Sequence, residues 1–325
     1  MKPHGYIGLA IIIAAEALLF SGNQLVGHWF TPIVWTGYVL FLDALIFHVS
    51  HSSLLTTDRI EFVIIVVVSI GIWWLCEFYN APRFWKSDLE LWWHYHHIEP
   101  NPYLRRVGYD WAFATIFPAI FLTAQMLLLT IFKSLRRFRR RYLSKSVLYA
   151  IILLGAIGVI VPLLFISAWL APVIWLSFIF LVDPINHLRG WPSIVGDLEQ
   201  GNYRRLFALL AAGGICGILW EFWNYWALAR WTYTVPYLGH VKIFEMPVLG
   251  YLGFPPFAIE CWVLYIFCRS LLSQKPLPVA GIWVEDLSGR VGKIFFGMTK
   301  DDPRTHTNQH KLDDTLRILQ PPGIN

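Results

Sequence analysis

Eight long apolar runs constrain this chain more than anything else in its sequence. They lie near residues 6–22, 31–50, 60–80, 109–132, 147–167, 169–185, 203–227 and 246–272, and most approach the roughly 20 residues that a helix needs to cross bilayer hydrocarbon. Lipid offers no water to a backbone amide, so such a segment must close its hydrogen bonds within itself as a helix. The expected fold class is all-α: a polytopic membrane helical bundle of about eight transmembrane helices. The run at 169–185 is short and closely follows its predecessor, which leaves a tight hairpin and a re-entrant segment as alternatives. Tyr6–Phe20 has the outline of a signal sequence. Glu16 interrupts it and no small-x-small cleavage site follows, so it is read as a retained first span.

Composition agrees about the solvent. With 56% hydrophobic and 14% charged residues, much of the surface must face lipid. Aromatic belts at the membrane boundary account for part of the 17 Trp. Cys76, Cys216, Cys261 and Cys268 sit in or beside apolar runs without a CxxC pair and read as small buried hydrophobes.

The formal charge of +5 is unevenly distributed. Sorted by loop, 20 Lys and Arg fall on the side of the termini and six on the other. This asymmetry predicts cytoplasmic N- and C-termini in a multi-pass protein of a bacterial plasma (inner) membrane. The basic stretch Lys133–Lys145 is expected to meet anionic lipid, and no nucleic acid partner is implied.

An internal repeat organises the chain. Trp29, Pro32, Trp35 and Asp43 recur at one constant offset as Trp169, Pro172, Trp175 and Asp183. At slightly larger offsets, Glu77-Phe78 and Asn80 recur as Glu221-Phe222 and Asn224, and Gly108-Tyr109 as Gly250-Tyr251. The order is kept, with small insertions between matches. The expected division is a first four-helix membrane repeat (1–132), a basic cytoplasmic linker (133–146), a second four-helix repeat (147–272) and a polar C-terminal tail (273–325). An even number of spans per copy gives both the same orientation, related by an axis along the membrane normal. The tail holds one short apolar alternation, at Ile282–Glu285 and Ile294–Phe296, that fits a hairpin. Pro32 and Pro172 are expected in the first turns of their spans, and the Trp pairs 29/169 and 35/175 as interfacial anchors or packing between repeats.

Carboxyls within spans are costly and mark functional sites by default. Asp43 and Asp183 recur as a pair, as do Glu77 and Glu221, with Glu16 and Glu260 unpaired. In each copy an Asn follows the Glu by three residues, on the same helix face, placing Asn80 and Asn224 to orient the acids. Apolar aromatic surroundings favour a protonated carboxyl able to act as general acid, and the segment Trp220–Trp226 has that character. Aromatic faces also stabilise a developing cation. The competing explanation is that the acids hydrogen-bond across the bundle as polar glue.

Histidines cluster at His48 and His51 and at His94, His96 and His97. They have some likeness to the boxes of di-iron membrane enzymes, but the clusters fall on opposite faces of the expected topology and His187 alone answers to the first in the second copy. Interfacial histidines are the simpler reading, and no metal is expected. No glycine-rich phosphate loop, nucleophile elbow or dinucleotide fingerprint is present, so no cofactor is expected either.

The stretch Glu221-Phe-Trp-Asn224, then Trp231-x-Tyr233, Pro247 and the aromatics Tyr251, Phe254 and Phe257 resembles the repeat unit of the membrane lycopene cyclases of the carotenoid pathway. Only this part of the second copy carries the resemblance well. The family's Pro-x-Glu-Glu motif is absent, since Val248, Leu249 and Gly250 follow Pro247. The resemblance implies redox-neutral acid-base chemistry on a polyisoprenoid inside the bilayer. Combined with the acids above, it yields the expectation of a cyclase, isomerase or hydratase acting on an isoprenoid or related lipid. Its catalytic candidates are Glu221, Asn224, Asp183, Glu77, Asn80 and Asp43, and its substrate contacts Trp220, Trp223, Trp231, Tyr233, Phe254 and Glu260. The alternatives are a proton-coupled carrier dependent on Asp43 and Asp183, and a non-catalytic scaffold acting through its tail.

Overall fold

A computed structural model describes residues 1–81, 90–234, 236 and 238–272. The tail and its expected hairpin lie outside the described residues. The helices are α1 (Pro3–Phe20), α2 (Gln24–Ser50), α3 (Leu54–Thr57), α4 (Arg59–Asn80), α5 (Pro102–Leu129), α6 (Lys145–Leu164), α7 (Ala171–Leu188), α8 (Ile194–Glu199), α9 (Arg204–Trp226) and α10 (Phe254–Leu272). Eight helices among the described residues are long and apolar enough to span a bilayer. Large apolar side chains such as Ile7, Ile13, Val63, Val67, Leu153 and Leu154 point outward, which is tolerable where lipid is the solvent. The chain is a multi-pass helical membrane protein.

Polar residues set the helix starts. The side chain of Asn23 accepts from the Val26 N–H at 3.0 Å, and Asn101 caps α5 through Tyr103 and Leu104, each satisfying N–H groups that a first turn leaves open. Pro172 lies in the first turn of α7 as expected. Pro32 does not, because α2 begins well before it, at Gln24. The run at 169–185 forms a full span, with a 3-10 turn at Ala168–Leu170 leading into α7, and so makes a hairpin with α6.

Packing follows the sequence order. α1 lies on α2 and α6 on α7, α5 contacts both α2 and α4, and α10 contacts both α7 and α9. The 1–132 and 147–272 segments meet through α5 against α9 and α4 against α10. Close helix approach demands small residues: a Cβ on Gly155 of α6 would collide with the Leu181 backbone nitrogen of α7. The basic linker runs along the α8–α9 turn, where Phe138 N–H donates to Gly201 O and Arg141 N–H to Leu198 O.

The described residues are mostly helical, as expected, and two short strand ribbons lie in the connections between spans. Strands β1 (Trp93–His96) and β2 (Arg230–Tyr233) form one antiparallel ribbon, and β3 (Lys242–Ile243) pairs with β4 (Met246–Pro247) in another. Strands this brief leave too short an alternation to be recognised in sequence.

Candidate functional site

The site is organised by the β1–β2 ribbon, one strand from each half of the chain. Its register pairs Trp93 with Tyr233, His94 with Thr232, Tyr95 with Trp231 and His96 with Arg230. Paired residues share a face and neighbours alternate, so both Trp-x-Tyr sets lie on one face. The histidines take the other, where His94 Nε2 is 2.6 Å from Thr234 Oγ1 and His96 Nε2 is 2.8 Å from Thr232 Oγ1. These two histidines are thus engaged with threonines across the strands.

Asn80 and Asn224 fasten the ribbon to the helices. Asn80 Nδ2 donates to Trp93 O at 2.9 Å, and its Oδ1 accepts from the Trp92 and Trp93 N–H groups at 2.9 and 3.1 Å. Asn224 donates to Trp231 O and accepts from Trp231 N–H, at 2.8 and 2.9 Å. Neither amide orients its neighbouring acid, as the i, i+3 spacing suggested; each is spent on strand backbone.

The acids are oriented by aromatic donors instead. Glu77 Oε1 accepts from Tyr95 Oη at 2.5 Å, Trp73 Nε1 at 2.9 Å and Trp93 Nε1 at 3.3 Å. Glu221 Oε1 accepts from Tyr233 Oη at 2.7 Å, while its Oε2 is buried without a hydrogen-bond partner among the described residues. Burial, then the adjacent Glu77 and Glu221 carboxyls, push the Tyr95 and Tyr233 phenols well above their ordinary value of 10.0.

Both phenols line a cavity of about 520 Å³, within the usual size range of small-molecule sites. Its wall is largely aromatic: Trp73, Trp93, Trp175, Trp220, Trp231 and Phe257 all contribute. Trp175 packs on Trp93 at 6.2 Å and on Phe257 at 5.2 Å between ring centroids. Glu77 and Glu221 stand behind their tyrosines rather than in the wall. A cavity of this kind can solvate an apolar ligand, stabilise positive charge with ring faces, and present two hydroxyls, each hydrogen-bonded to a carboxyl. No family model, curated protein or solved structure matches this chain.

Of the expected substrate contacts, Trp220, Trp231, Tyr233 and Phe254 line this cavity. Trp223 stands apart, set edge-on against Trp35 and donating to Glu16 Oε1 at 3.0 Å. Glu260 is enclosed beside Cys76, Trp92 and Trp175 in a separate void of about 10 Å³. Trp35 is interior rather than interfacial, and Trp175 belongs to the cavity; Trp169 alone of the four paired tryptophans is exposed.

Asp43 and Asp183 lie away from the cavity, toward the other ends of their helices. Asp183 accepts from the Ile194 and Val195 N–H groups at 2.8 and 2.9 Å, at the start of α8. Asp43 accepts from Leu55 N–H at 3.0 Å and Ser53 Oγ at 2.9 Å, at the start of α3, and is 3.1 Å from His4 Nε2. Their bonds resemble those of helix caps, made to N–H groups at the starts of α3 and α8.

Sequence reasoning missed Tyr95 and the wall residues Trp73, Trp92 and Trp93. One signal was available: Trp93-x-Tyr95 follows Glu77 just as Trp231-x-Tyr233 follows Glu221. The loops between acid and tryptophan differ in length, which conceals it.

Proposed function

We propose that this protein is an intramembrane acid-base enzyme for an isoprenoid or related apolar lipid, built from two tandem four-helix repeats with cytoplasmic termini. One observation carries the reading: each half supplies a Glu–Tyr pair, and both phenols face one aromatic cavity. The matching use of Asp43 with Asp183 and of Asn80 with Asn224 supports the repeat. The surplus of Lys and Arg on the side of the termini supports the orientation.

In this reading the hydrogen bond between the pair reverses: the Tyr233 hydroxyl turns its hydrogen from Glu221 to an alkene carbon and is reprotonated by the Glu221 carboxylic acid, so that Glu221 is the net proton donor. Ring faces of Trp220 and Trp231 stabilise the cation that results. The cation closes on a second double bond or shifts, and a neighbouring carbon loses one proton through Tyr95 to the Glu77 carboxylate; exchange with water between turnovers then takes that proton from Glu77 and returns one to Glu221. No electron is gained or lost, so the reaction is a cyclisation or isomerisation. A carrier reading has less support, because the two aspartates it needs are committed to backbone N–H groups.

The test is turnover of an isoprenoid identified by mass spectrometry of lipid co-purified with the protein. Glu221→Gln is expected to lower turnover by about 10²–10⁴-fold with an unchanged melting temperature. A Gln variant of normal activity overturns the assignment.

A further inference from the structure

The cavity has a polar end, and its direction can be read along α5. Arg105, Gly108, Tyr109, Ala112, Phe113 and Ile116 all line it, at the three- and four-residue spacing of one helix face. From Arg105 to Ile116 the stripe descends about 16 Å at 1.5 Å per residue. Arg105 stands at the ribbon end and Ile116 toward the middle of the span. His28, in the second turn of α2, and Glu99, just before α5, share the polar end.

The two arginines of this turn are used differently. Arg106 is committed: its Nε is 3.1 Å from Asp110 Oδ2, and its guanidinium lies 3.9 Å from the Trp74 ring. Arg105 makes no ion pair among the described residues and borders the cavity, half-buried. A guanidinium at the rim of an aromatic chamber suits an oxyanion tied to an apolar chain. Glu99, whose Oε1 accepts from the Asn101 N–H at 3.0 Å, gives the same rim an acceptor. A phosphate monoester meets both, with anionic oxygens for Arg105 and, as the monoanion, a P–OH for Glu99.

We propose that the ligand of this cavity is an amphiphile, a prenyl-type monophosphate, with its head at Arg105 and its chain running down the α5 face toward Ile116. This rests on the proposed reading of the cavity as a lipid site and adds the headgroup and the direction. It also sets the register of the chemistry. Tyr95 packs at a tilt of 49° on Tyr109 with centroids 5.1 Å apart, one turn below Arg105, so the Glu77–Tyr95 pair meets the carbons nearest the head.

The test uses full-length protein in nanodiscs of zwitterionic lipid and follows quenching of cavity tryptophan fluorescence. Farnesyl monophosphate is expected to bind about tenfold or more tighter than farnesol. Arg105→Gln is expected to erase that preference while farnesol binding and the melting temperature persist, and Arg106→Gln to retain it. Inorganic phosphate at equal concentration is expected not to compete. Equal affinity for the two prenyl probes in the wild type, a preference surviving in Arg105→Gln, or full competition by inorganic phosphate overturns the proposal. Direction is tested with Ile116→Phe, or Ala112→Phe if the first variant melts early. Either is expected to weaken farnesyl monophosphate and spare geranyl monophosphate, and the reverse pattern overturns the orientation. These are binding measurements, so turnover lost in Glu221→Gln beside an absent headgroup preference would remove this proposal and leave the acid-base reading in place.

Discussion

The Tyr233 hydroxyl receives the indole N–H of Trp231 at 2.6 Å and passes its own hydrogen to Glu221. Burial, then the neighbouring Glu221 carboxyl, suppresses ionisation of this phenol.

The first prediction concerns alkaline pH. Tyr95 and Tyr233 have folded-state values raised above the ordinary 10.0, so near that pH the native state holds more protons than the unfolded one. Stability therefore falls as pH rises above about 10. Spectrophotometric titration is expected to give the same phenolate signal for wild type and Tyr233→Phe up to about pH 10, with the wild type losing stability more steeply above it. A smaller phenolate signal in the variant below that pH would contradict the burial of this hydroxyl.

The second concerns the ribbon anchors. Removing the Asn80 side chain deprives two backbone N–H groups and one carbonyl of their partners, each worth about 1–3 kcal/mol when left buried. Asn80→Ala is expected to lower the melting temperature more than Tyr95→Phe does, and to reduce ligand binding through the displaced ribbon. Thermal denaturation in detergent compares them directly.

The third separates aspartates from glutamates. Asp183→Asn keeps one acceptor for the start of α8 and loses the other, costing about 1–2 kcal/mol, while the folded fraction retains its turnover. Substrate conversion per folded molecule reads this; a hundredfold loss would restore Asp183 to the chemistry.

The fourth tests the cavity wall. A Cβ on Gly217 would overlap the Phe254 ring, whereas one on Gly214 would meet nothing within 4 Å. Gly217→Ala is expected to push Phe254 toward the cavity and weaken binding of an apolar probe severalfold. Gly214→Ala should bind as the wild type does, as isothermal or fluorescence titration can establish.

Much of the fold was legible because apolar length is a local property. The eight spans needed no long-range information, whereas the hairpin of α6 with α7 was one of two alternatives that the structure separated. The candidate site was legible in part: Trp220, Trp231 and Tyr233, named from the aromatic segment and the resemblance, line the cavity, and Glu221 stands behind Tyr233. Asn80 and Asn224 were placed on the acids' side of the helix correctly and given the wrong partner, since helical spacing fixes a face but not what packs against it. Buried polar atoms take whichever partner the tertiary fold supplies, and for both amides that was the backbone of a strand beyond the helix end.

Chain composition alone determined that these segments are helices in lipid, because a spanning backbone has no other way to satisfy its amides. The order of residues also placed six carboxyls within the spans but passed over Glu61, which is buried in the first turn of α4 and pairs with Arg269 at 3.1 Å. Only the tertiary structure decided that Asp43 and Asp183 cap short helices while Glu77 and Glu221 stand behind tyrosines at a shared cavity. That distinction depends on the register between two strands from opposite halves of the chain, and strand register is a pairing property that neither segment carries by itself.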